Sequence, residues 1–522
     1  MPEPPPPPPI RGLLDSKAYG HPAAAIRLVE THISWVLLAG EFAYKIKKPV
    51  DFGFLDFSTL ARRRACCEEE LRLNRRHAPD LYLAVVPITG DLRQPRMDGP
   101  GTPIEFAVKM RRFDEAGLFD HLAESHRLQS GHLDSLAASL ADFHAAIGRA
   151  TAADNHGTPD KQRQAADFNF TKIRPLLDDP ADIADLEALR AWTLAEYARR
   201  EPLLRQRKNA GFVRECHGDL HLGNIVSIDG HPTLFDAIEF NEDLRWIDTM
   251  SELAFIAMDL EAGGDTGLAY RLLNRYLEIT GDYPGLALLD YYRLYRALVR
   301  AKIALLTREQ AGDAARRTSL LARCRRYIGY GLKLIRRNRP GLIITHGVSG
   351  SGKSHLAARL AEALPAIRLR SDVERKRMAG LLAEARGGGM LDTGIYSAAM
   401  TAGTYRRLAV IAEELLSAGH SVIVDATFLK REQREEQRRI AERLGVGFLI
   451  LDCRAPLAVS RARIHARAIA GNDPSEADLA VLKQQIAHRE PLNEDERALP
   501  VDTDGELPVD ELASAIAAEL SV

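Results

Sequence analysis

Between about residue 25 and residue 113 the apolar positions come in short β-like runs: His32-Ile-Ser-Trp-Val-Leu-Leu, Phe42-Ala-Tyr-Lys-Ile-Lys, Ala84-Val-Val-Pro-Ile and Pro103-Ile-Glu-Phe-Ala-Val-Lys-Met. A charged helical stretch from Thr59 to His77 separates the second from the third. This predicts a small antiparallel sheet with one helix. From 114 to about 335 the period changes. Apolar residues recur at three- and four-residue intervals in Leu133–Ile147, Ile183–Tyr197, Ser251–Leu260 and Tyr291–Leu306, the spacing of helices. Arg336-Arg-Asn-Arg-Pro340 is polar, ends in proline and marks a boundary. Beyond it, apolar runs at Leu342–Thr345, Ala366–Leu369, Val422–Val424, Phe448–Leu451 and Leu499–Val501 alternate with helical stretches, which predicts a parallel sheet of βα units.

The third region carries the clearest chemistry. Directly after Leu342-Ile-Ile-Thr stands Gly347-Val-Ser-Gly350-Ser351-Gly352-Lys353-Ser354, and the helical His355-Leu-Ala-Ala-Arg-Leu-Ala follows. Strand, glycine-rich turn and helix in that order make a P-loop. Its glycines let backbone N–H groups face phosphates, the helix N-terminus adds positive partial charge, Lys353 reaches the β- and γ-phosphates, and the Ser354 hydroxyl joins Mg²⁺. Residues 340–522 are therefore expected to bind ATP.

Strands of such a sheet deliver functional groups at their carboxyl ends, where Asp372 and Asp425 stand. Asp425 suits Mg²⁺ held through water, and Asp372 suits orientation or deprotonation of an acceptor hydroxyl, although Asp372 also reads as a helix N-cap. Arg461, Arg463 and Arg467 lie on a helix after the fourth strand, ahead of Gly471-Asn-Asp-Pro-Ser-Glu. That layout suggests a lid whose arginines neutralise the transferred phosphoryl group.

A second phosphoryl-transfer pattern lies upstream, in His217-Gly-Asp219-Leu-His221-Leu-Gly-Asn224. An Asp that accepts the hydroxyl proton and an Asn five residues later that holds Mg²⁺ is kinase catalytic-loop spacing, and Asp236, in Thr233-Leu-Phe-Asp-Ala-Ile-Glu-Phe, is placed to complete the metal site. Two other readings stand beside this one: a polar turn, and a metal cluster of His217, Asp219 and His221 on one strand face. The downstream Asn and Asp suit oxygen-loving Mg²⁺ better than zinc.

The constellation closely resembles the aminoglycoside phosphotransferase-like kinases, whose loop reads HGDLHxxN. The resemblance implies Asp219 as base, with Asn224 and Asp236 as metal ligands. In the kinase N-lobe layout a strand lysine pairs with the ATP phosphates and with a helix glutamate. Lys45 is the choice for the lysine and Glu69 for its partner, with Lys47 and Lys48 beside the one, Glu68 and Glu70 flanking the other, and solvated charge the competing account. No GxGxxG lies between the first two predicted strands, only Gly40. His144 reads as a packed histidine. Asp248 resembles the buried carboxylate that bonds the catalytic-loop backbone in related kinases. Arg296 and Arg300, at i and i+4, read as a solvated basic face in preference to a pocket for an anionic substrate.

The C-terminal part resembles the small-molecule and polynucleotide P-loop kinases, of the AAA-type and zeta-like kind. The fold expected is thus multidomain, α/β and α+β: a bilobal protein-kinase-like domain over 25–335 (N-lobe 25–113, helical C-lobe 114–335) followed by a P-loop NTPase domain with a parallel sheet over 340–522. The proline run after Met-Pro-Glu lacks the basic and apolar parts of a signal peptide, and residues 1–24 are expected as a disordered tail.

At 522 residues two or three domains are the default. Hydrophobic content of 46%, charged content of 27% and a formal net charge of −2 are those of a soluble protein and give no electrostatic case for bulk nucleic acid or an anionic membrane. No apolar stretch reaches membrane-spanning length. Cysteines 66, 67, 216, 324 and 453 form no CxxC pair and read as reduced thiols in the cytoplasm. Both halves together resemble a bacterial two-domain arrangement. They point to a bifunctional ATP- and Mg²⁺-dependent phosphotransferase acting on hydroxyl acceptors that the sequence does not name. The rival is a regulatory protein with a pseudokinase half and an ATP-dependent P-loop switch.

Overall fold

The computed structural model describes residues 6–51, 55–336, 339–382, 397–470, 475 and 477–520. They form two compact units, Met1–Gly263 with Tyr291–Ile335, and Gly264–Asp290 with Arg336–Val522. The linker residues 337 and 338 lie outside the described residues.

The first unit opens with an antiparallel sheet of β1 (Arg27–Glu30), β2 (Ser34–Ala39), β3 (Phe42–Lys47), β4 (Tyr82–Gly90), β5 (Pro95–Met97) and β6 (Glu105–Arg111), in spatial order β1-β2-β3-β6-β4-β5. Side chains alternate across a strand, and β3 uses both faces. Tyr44 and Ile46 pack with Ile10, Leu13, Tyr19 and Val86 in one core, which leaves Lys45 and Lys47 on the opposite face. The segment expected as a disordered tail is therefore folded from Pro8 onward, because Ile10, Leu13 and Tyr19 give it apolar groups to bury; residues 1–5 lie outside the described residues. The second face receives the helix Leu60–Asn74, capped by the Thr59 hydroxyl and packed on β4 and β6.

The rest of the unit is helical, with Ser130–Ala146, Pro159–Ile173, Pro180–Asn209, Thr249–Gly263, Leu289–Gln310 and Ala314–Ile335 as its long helices. Ile173, Leu189, Phe255, Leu298 and Tyr327 share a core among them. Set into the helices are β7 (Val213–Glu215), the hairpin of β8 (Ile225–Ile228) and β9 (His231–Leu234), and β10 (Trp246–Asp248), which pairs with β7. The segment 217–224, of kinase-loop spacing, is the connection from β7 to β8.

The second unit is a five-stranded parallel sheet of β11 (Gly341–His346), β12 (Ile367–Arg370), β13 (Val422–Asp425), β14 (Gly447–Arg454) and β15 (Ala498–Asp502), in order β12-β13-β11-β14-β15. Its edge strand β12 is covered by the helix Thr266–Thr280. The Asn274 amide accepts from Arg368 N at 2.7 Å and donates to Ala366 O at 3.0 Å, which satisfies edge groups that otherwise invite pairing with another chain. Glu278, one turn further along, receives the Arg368 guanidinium. No helix among the described residues is long and apolar enough to cross a membrane, and the five cysteines form no disulfide.

Candidate active sites

The two faces of β3 decide the first site. Lys45 donates to Glu70 Oε1 at 2.9 Å and to the Asp236 carboxylate, and Lys47, two residues on and on the same face, donates to Glu70 Oε2 at 2.5 Å and to Glu239. Glu70 thus bridges both ammonium groups with no exposure of its own. Glu69, expected in this role, points elsewhere and pairs with Arg72 at 2.7 Å and Arg245 at 2.8 Å. Successive helix residues project about 100° apart, and the buried stripe of this helix runs through Arg63, Cys67, Glu70 and Asn74. Glu70→Gln is expected to weaken ATP binding by the first unit roughly tenfold or more, and Glu69→Gln by less than about threefold. Calorimetric titration of both variants checks the assignment.

Burial acts against the Lys45 ammonium, but Asp236 and Glu70 outweigh it and hold the group charged well above its ordinary range. Burial likewise acts to raise the Asp236 carboxyl, and Lys45 brings it below the usual carboxylate value. Asp236 sits at φ 66°, a left-handed conformation that aspartate tolerates better than most residues. It is held there by its own N–H on the Tyr82 hydroxyl, 3.0 Å, and by Ala237 N on Asn74 Oδ1, 3.0 Å.

The loop 217–224 belongs to the same unit as Lys45. Asn224 Nδ2 donates to the main-chain oxygen of Asp219 at 2.9 Å and to its Oδ2 at 3.4 Å. That leaves Asn224 Oδ1 without a donor among the described residues, and the Asp236 side chain 43% exposed. These are oxygen ligands, and the carboxylates of Glu70, Asp236 and Glu239 outnumber the two lysines, so the donor set fits a hard divalent cation such as Mg²⁺. The metal cluster entertained for His217, Asp219 and His221 does not form. His217 Nε2 meets Phe235 O at 2.8 Å, His221 Nδ1 accepts from Gly223 N at 3.0 Å, and the three-ligand group found among the described residues is His144, Cys216 and Glu252.

The loop is anchored by acids that the apolar pattern hid. Glu252 accepts from His217 N at 2.6 Å, Gly218 N at 2.9 Å and His144 Nε2 at 2.8 Å. Asp259, on the same helix, accepts from Leu222 N at 3.2 Å. Asp248, expected to bond the loop, instead pairs with Arg207 and caps Met250 N at 2.8 Å. Burial would raise Glu252, but the His144 hydrogen bond and neighbouring charges bring it down to about 2. Glu252→Ala leaves three buried donors unmet, and it is expected to cost about 3–5 kcal/mol, seen by calorimetry as a lower first unfolding transition. Gly218 itself must be glycine: at φ +90° a Cβ would stand 2.7 Å from Leu244 O.

Arg296 and Arg300 are not a solvated face. Arg296 is buried and donates to Gly218 O at 2.9 Å and Ser251 O at 3.2 Å, so it braces the loop 217–224 from the helix side. Sequence also missed β1, and with it the turn Thr31–Ile33 between β1 and β2. This is where the phosphate-covering loop lies in a kinase layout; Gly40 belongs to the β2–β3 turn. The turn has no glycine, and Lys48 Nζ bonds Thr31 O at 2.5 Å while His32 Nε2 meets Thr307 Oγ1 at 3.0 Å.

In the second unit Gly347, Gly350 and Gly352 all have positive φ. A Cβ on Gly350 would lie 2.4 Å from Ser460 O, so the loop wraps closely over the helix Leu457–Ala470. Thr503 Oγ1 donates to Ser351 O at 2.7 Å, and Arg463 Nη1 reaches Gly350 O at 3.4 Å and Thr503 Oγ1 at 3.2 Å. Arg463, expected to close over phosphate, is thus committed to the P-loop backbone. Arg461 is exposed, and Arg467 donates to Ala477 O at 2.9 Å while lying within electrostatic reach of Lys353. The expected lid residues 471–474 and 476 lie outside the described residues.

Lys353 is buried and donates to Val348 O at 2.7 Å, and its burial pulls the ammonium below its ordinary range against Asp425 and Asp372. Ser354 Oγ donates to Asp425 Oδ1 at 3.0 Å, and Asp425 Oδ2 is buried without a hydrogen-bond partner. The Arg370 guanidinium stands 3.8 Å from that oxygen without a hydrogen bond to it, and a buried carboxylate oxygen free of hydrogen bonds beside a P-loop hydroxyl fits Mg²⁺. Asp372 is the second residue of the helix Ser371–Met378, with Arg370 at the cap position, and Arg375 Nη1 reaches it at 3.3 Å.

Residues 59–289 match the model of the phosphotransferase enzyme family, and residues 342–492 match that of the AAA domain. Among curated proteins the chain is 31% identical over 451 residues to an uncharacterized protein of Mycobacterium tuberculosis strain H37Rv, covering 86% of this chain and 88% of the relative; an uncharacterized protein of Mycobacterium bovis matches equally. Among solved structures, a gluconokinase from Sinorhizobium meliloti is 25% identical with a TM-score of 0.25, covering 35% of this chain and 94% of its own. A choline/ethanolamine kinase family protein from Mesorhizobium loti is 12% identical with a TM-score of 0.35, covering 60% of this chain and 95% of its own.

Proposed function

Since the chain belongs to the phosphotransferase enzyme family, with an AAA-type P-loop kinase domain after it and the mycobacterial proteins as relatives, we propose that it is a bifunctional phosphotransferase. Each unit moves the γ-phosphate of its own ATP to a hydroxyl acceptor. The observation that carries this is the convergence of Lys45, Glu70 and Asp236 in one ion-paired cluster, with the Asp219–Asn224 loop of kinase spacing in the same unit.

In the first unit Lys45, fixed by Glu70, binds the ATP phosphates, and Asp219 orients the acceptor hydroxyl and takes its proton. Asn224 and Asp236 would hold Mg²⁺, which neutralises charge on the phosphates when bound. In the second unit the backbone from Gly347 to Gly352 with Lys353 cradles the phosphates, Ser354 and Asp425 would hold Mg²⁺, Asp372 orients the acceptor, and Arg467 is the arginine placed to stabilise the phosphoryl group. The compact units depart from the expected 25–335 and 340–522 at the helix Thr266–Thr280, which packs against β12 as part of the second unit. Unpaired cysteines support a cytoplasmic setting. The test is separation of activities with radiolabelled ATP and a metabolite extract. Asp219→Asn removes one set of labelled products and Lys353→Ala the other, and tight ATP binding without any transfer would instead make the chain an ATP-dependent switch.

A further inference from the structure

Between Gly347 at φ 140° and Gly350 at φ 81° the P-loop backbone belongs to neither strand nor helix, so no ladder or helical turn supplies an acceptor for the buried Ser349 N–H. A side chain does. Ser349 N donates to Gln485 Oε1 at 2.7 Å, and Gln485 stands 136 residues further along the chain, on the helix Leu479–His488. The carbonyl of the same peptide unit is Val348 O, which accepts from Lys353 Nζ at 2.7 Å and from Ser351 N at 3.2 Å. One peptide plane is therefore held from both edges, by the P-loop lysine on its oxygen and by Gln485 on its N–H. In a trans peptide these two groups point in opposite directions, so fixing the N–H also fixes the carbonyl.

The helix that carries Gln485 is itself well seated. Asp478 caps it, accepting from Ala480 N and Val481 N at 2.9 Å each, and Leu482, one turn before Gln485 and on the same face, is only 1% exposed. Just past its C-terminal end Glu490 N bonds Leu429 O at 2.8 Å, and the Glu490 carboxylate accepts from Arg431 N at 2.7 Å. A loop held in its binding shape in advance spares the ligand the cost of ordering it, whereas a loop that visits that shape only part of the time loses affinity in proportion.

Resting on the reading of residues 347–354 as the phosphate-binding loop of a kinase, we propose that Gln485 is a positioning residue of the second unit. By accepting from Ser349 N it holds the 348–349 peptide with Val348 O aimed at Lys353, and so keeps lysine and loop backbone in the arrangement that receives a triphosphate. Gln485 acts through this peptide and exchanges no proton. Without it the Ser349 N–H has no acceptor, the peptide is free to rotate, and the loop must be reordered each time nucleotide binds.

Titration of the full chain with AMPPNP and Mg²⁺ tests this on the class of sites that Lys353→Ala removes. In Gln485→Leu that class should weaken roughly five- to fiftyfold, the effect of leaving one buried donor unmet, with its stoichiometry kept at one per chain. Hydrogen exchange without nucleotide should quicken in the peptide covering 347–354 and stay unchanged in β11 to β15. Gln485→Glu, which keeps an acceptor at the same reach, should restore the protection. Unchanged affinity or unchanged P-loop exchange in Gln485→Leu overturns the proposal, and so does failure of Gln485→Glu to restore it. A fall in stoichiometry with the remaining sites at wild-type affinity also overturns it, since that is the mark of a residue supporting the fold alone. Nucleotide binding that survives Lys353→Ala removes the phosphate-loop reading and the proposal with it, while loss in Lys353→Ala beside an indifferent Gln485→Leu overturns the role of Gln485 only.

Discussion

Replacement of Asp219 by asparagine is expected to lower phosphoryl transfer by the first unit roughly 10²- to 10⁴-fold, the range a positioned general base contributes, while ATP still binds. The substitution keeps the shape of the side chain, so the hydrogen bonds from Asn224 and the three that Glu252 accepts can persist and the loop stays in place. What disappears is the capacity to take a proton. Asp236→Asn provides the contrast, because that carboxylate is ion-paired to Lys45, the lysine proposed to bind the ATP phosphates. It should weaken Mg²⁺-dependent ATP binding. Turnover and ATP affinity of both variants, measured with Lys353→Ala in the background, separate the roles, and identical behaviour of the two would show them misassigned.

Lys353→Ala is the second large effect. The lysine is the main side-chain charge at the P-loop, it is buried, and its ammonium is bonded to Val348 O. A bound triphosphate would replace that single carbonyl with charged oxygens. Loss of those charge-assisted hydrogen bonds should weaken nucleotide binding by the second unit on the order of a hundredfold. The full chain is the material for this experiment, since Arg368 on β12 finds its carboxylate in Glu278, outside residues 340–522.

Much of this architecture was legible in the chain. All five apolar runs after residue 340 became strands of the parallel sheet, and the inner strands β11 and β13, buried throughout, are the near-continuous apolar runs that burial on both faces requires. The antiparallel sheet was legible in part. β1 escaped because Arg27, Val29 and Glu30 are exposed and leave no apolar run, and with it the turn of residues 31–33 was assigned no role. Site residues failed where hydrophobicity carries no information. Glu68, Glu69 and Glu70 are equivalent in composition, and only the helix face that meets β3 selects the third. Lys47 had a usable signal, its two-residue spacing from Lys45, which puts both on one strand face. Glu252 and Asp259 had another, as acids inside the otherwise apolar Met250–Leu260, where a buried charge must have partners. Arg296 looked solvated because pattern alone cannot show that the loop 217–224, distant in sequence, lies against it.

The central claim, two nucleotide sites that work separately on one chain, is tested most directly by equilibrium titration of the full-length protein with AMPPNP and Mg²⁺. The account predicts two equivalents bound per wild-type chain and one in Lys353→Ala, the remaining one sensitive to Glu70→Gln. A single equivalent in the wild type, abolished by Lys353→Ala, would contradict it and leave the first unit a kinase-like fold that binds no nucleotide.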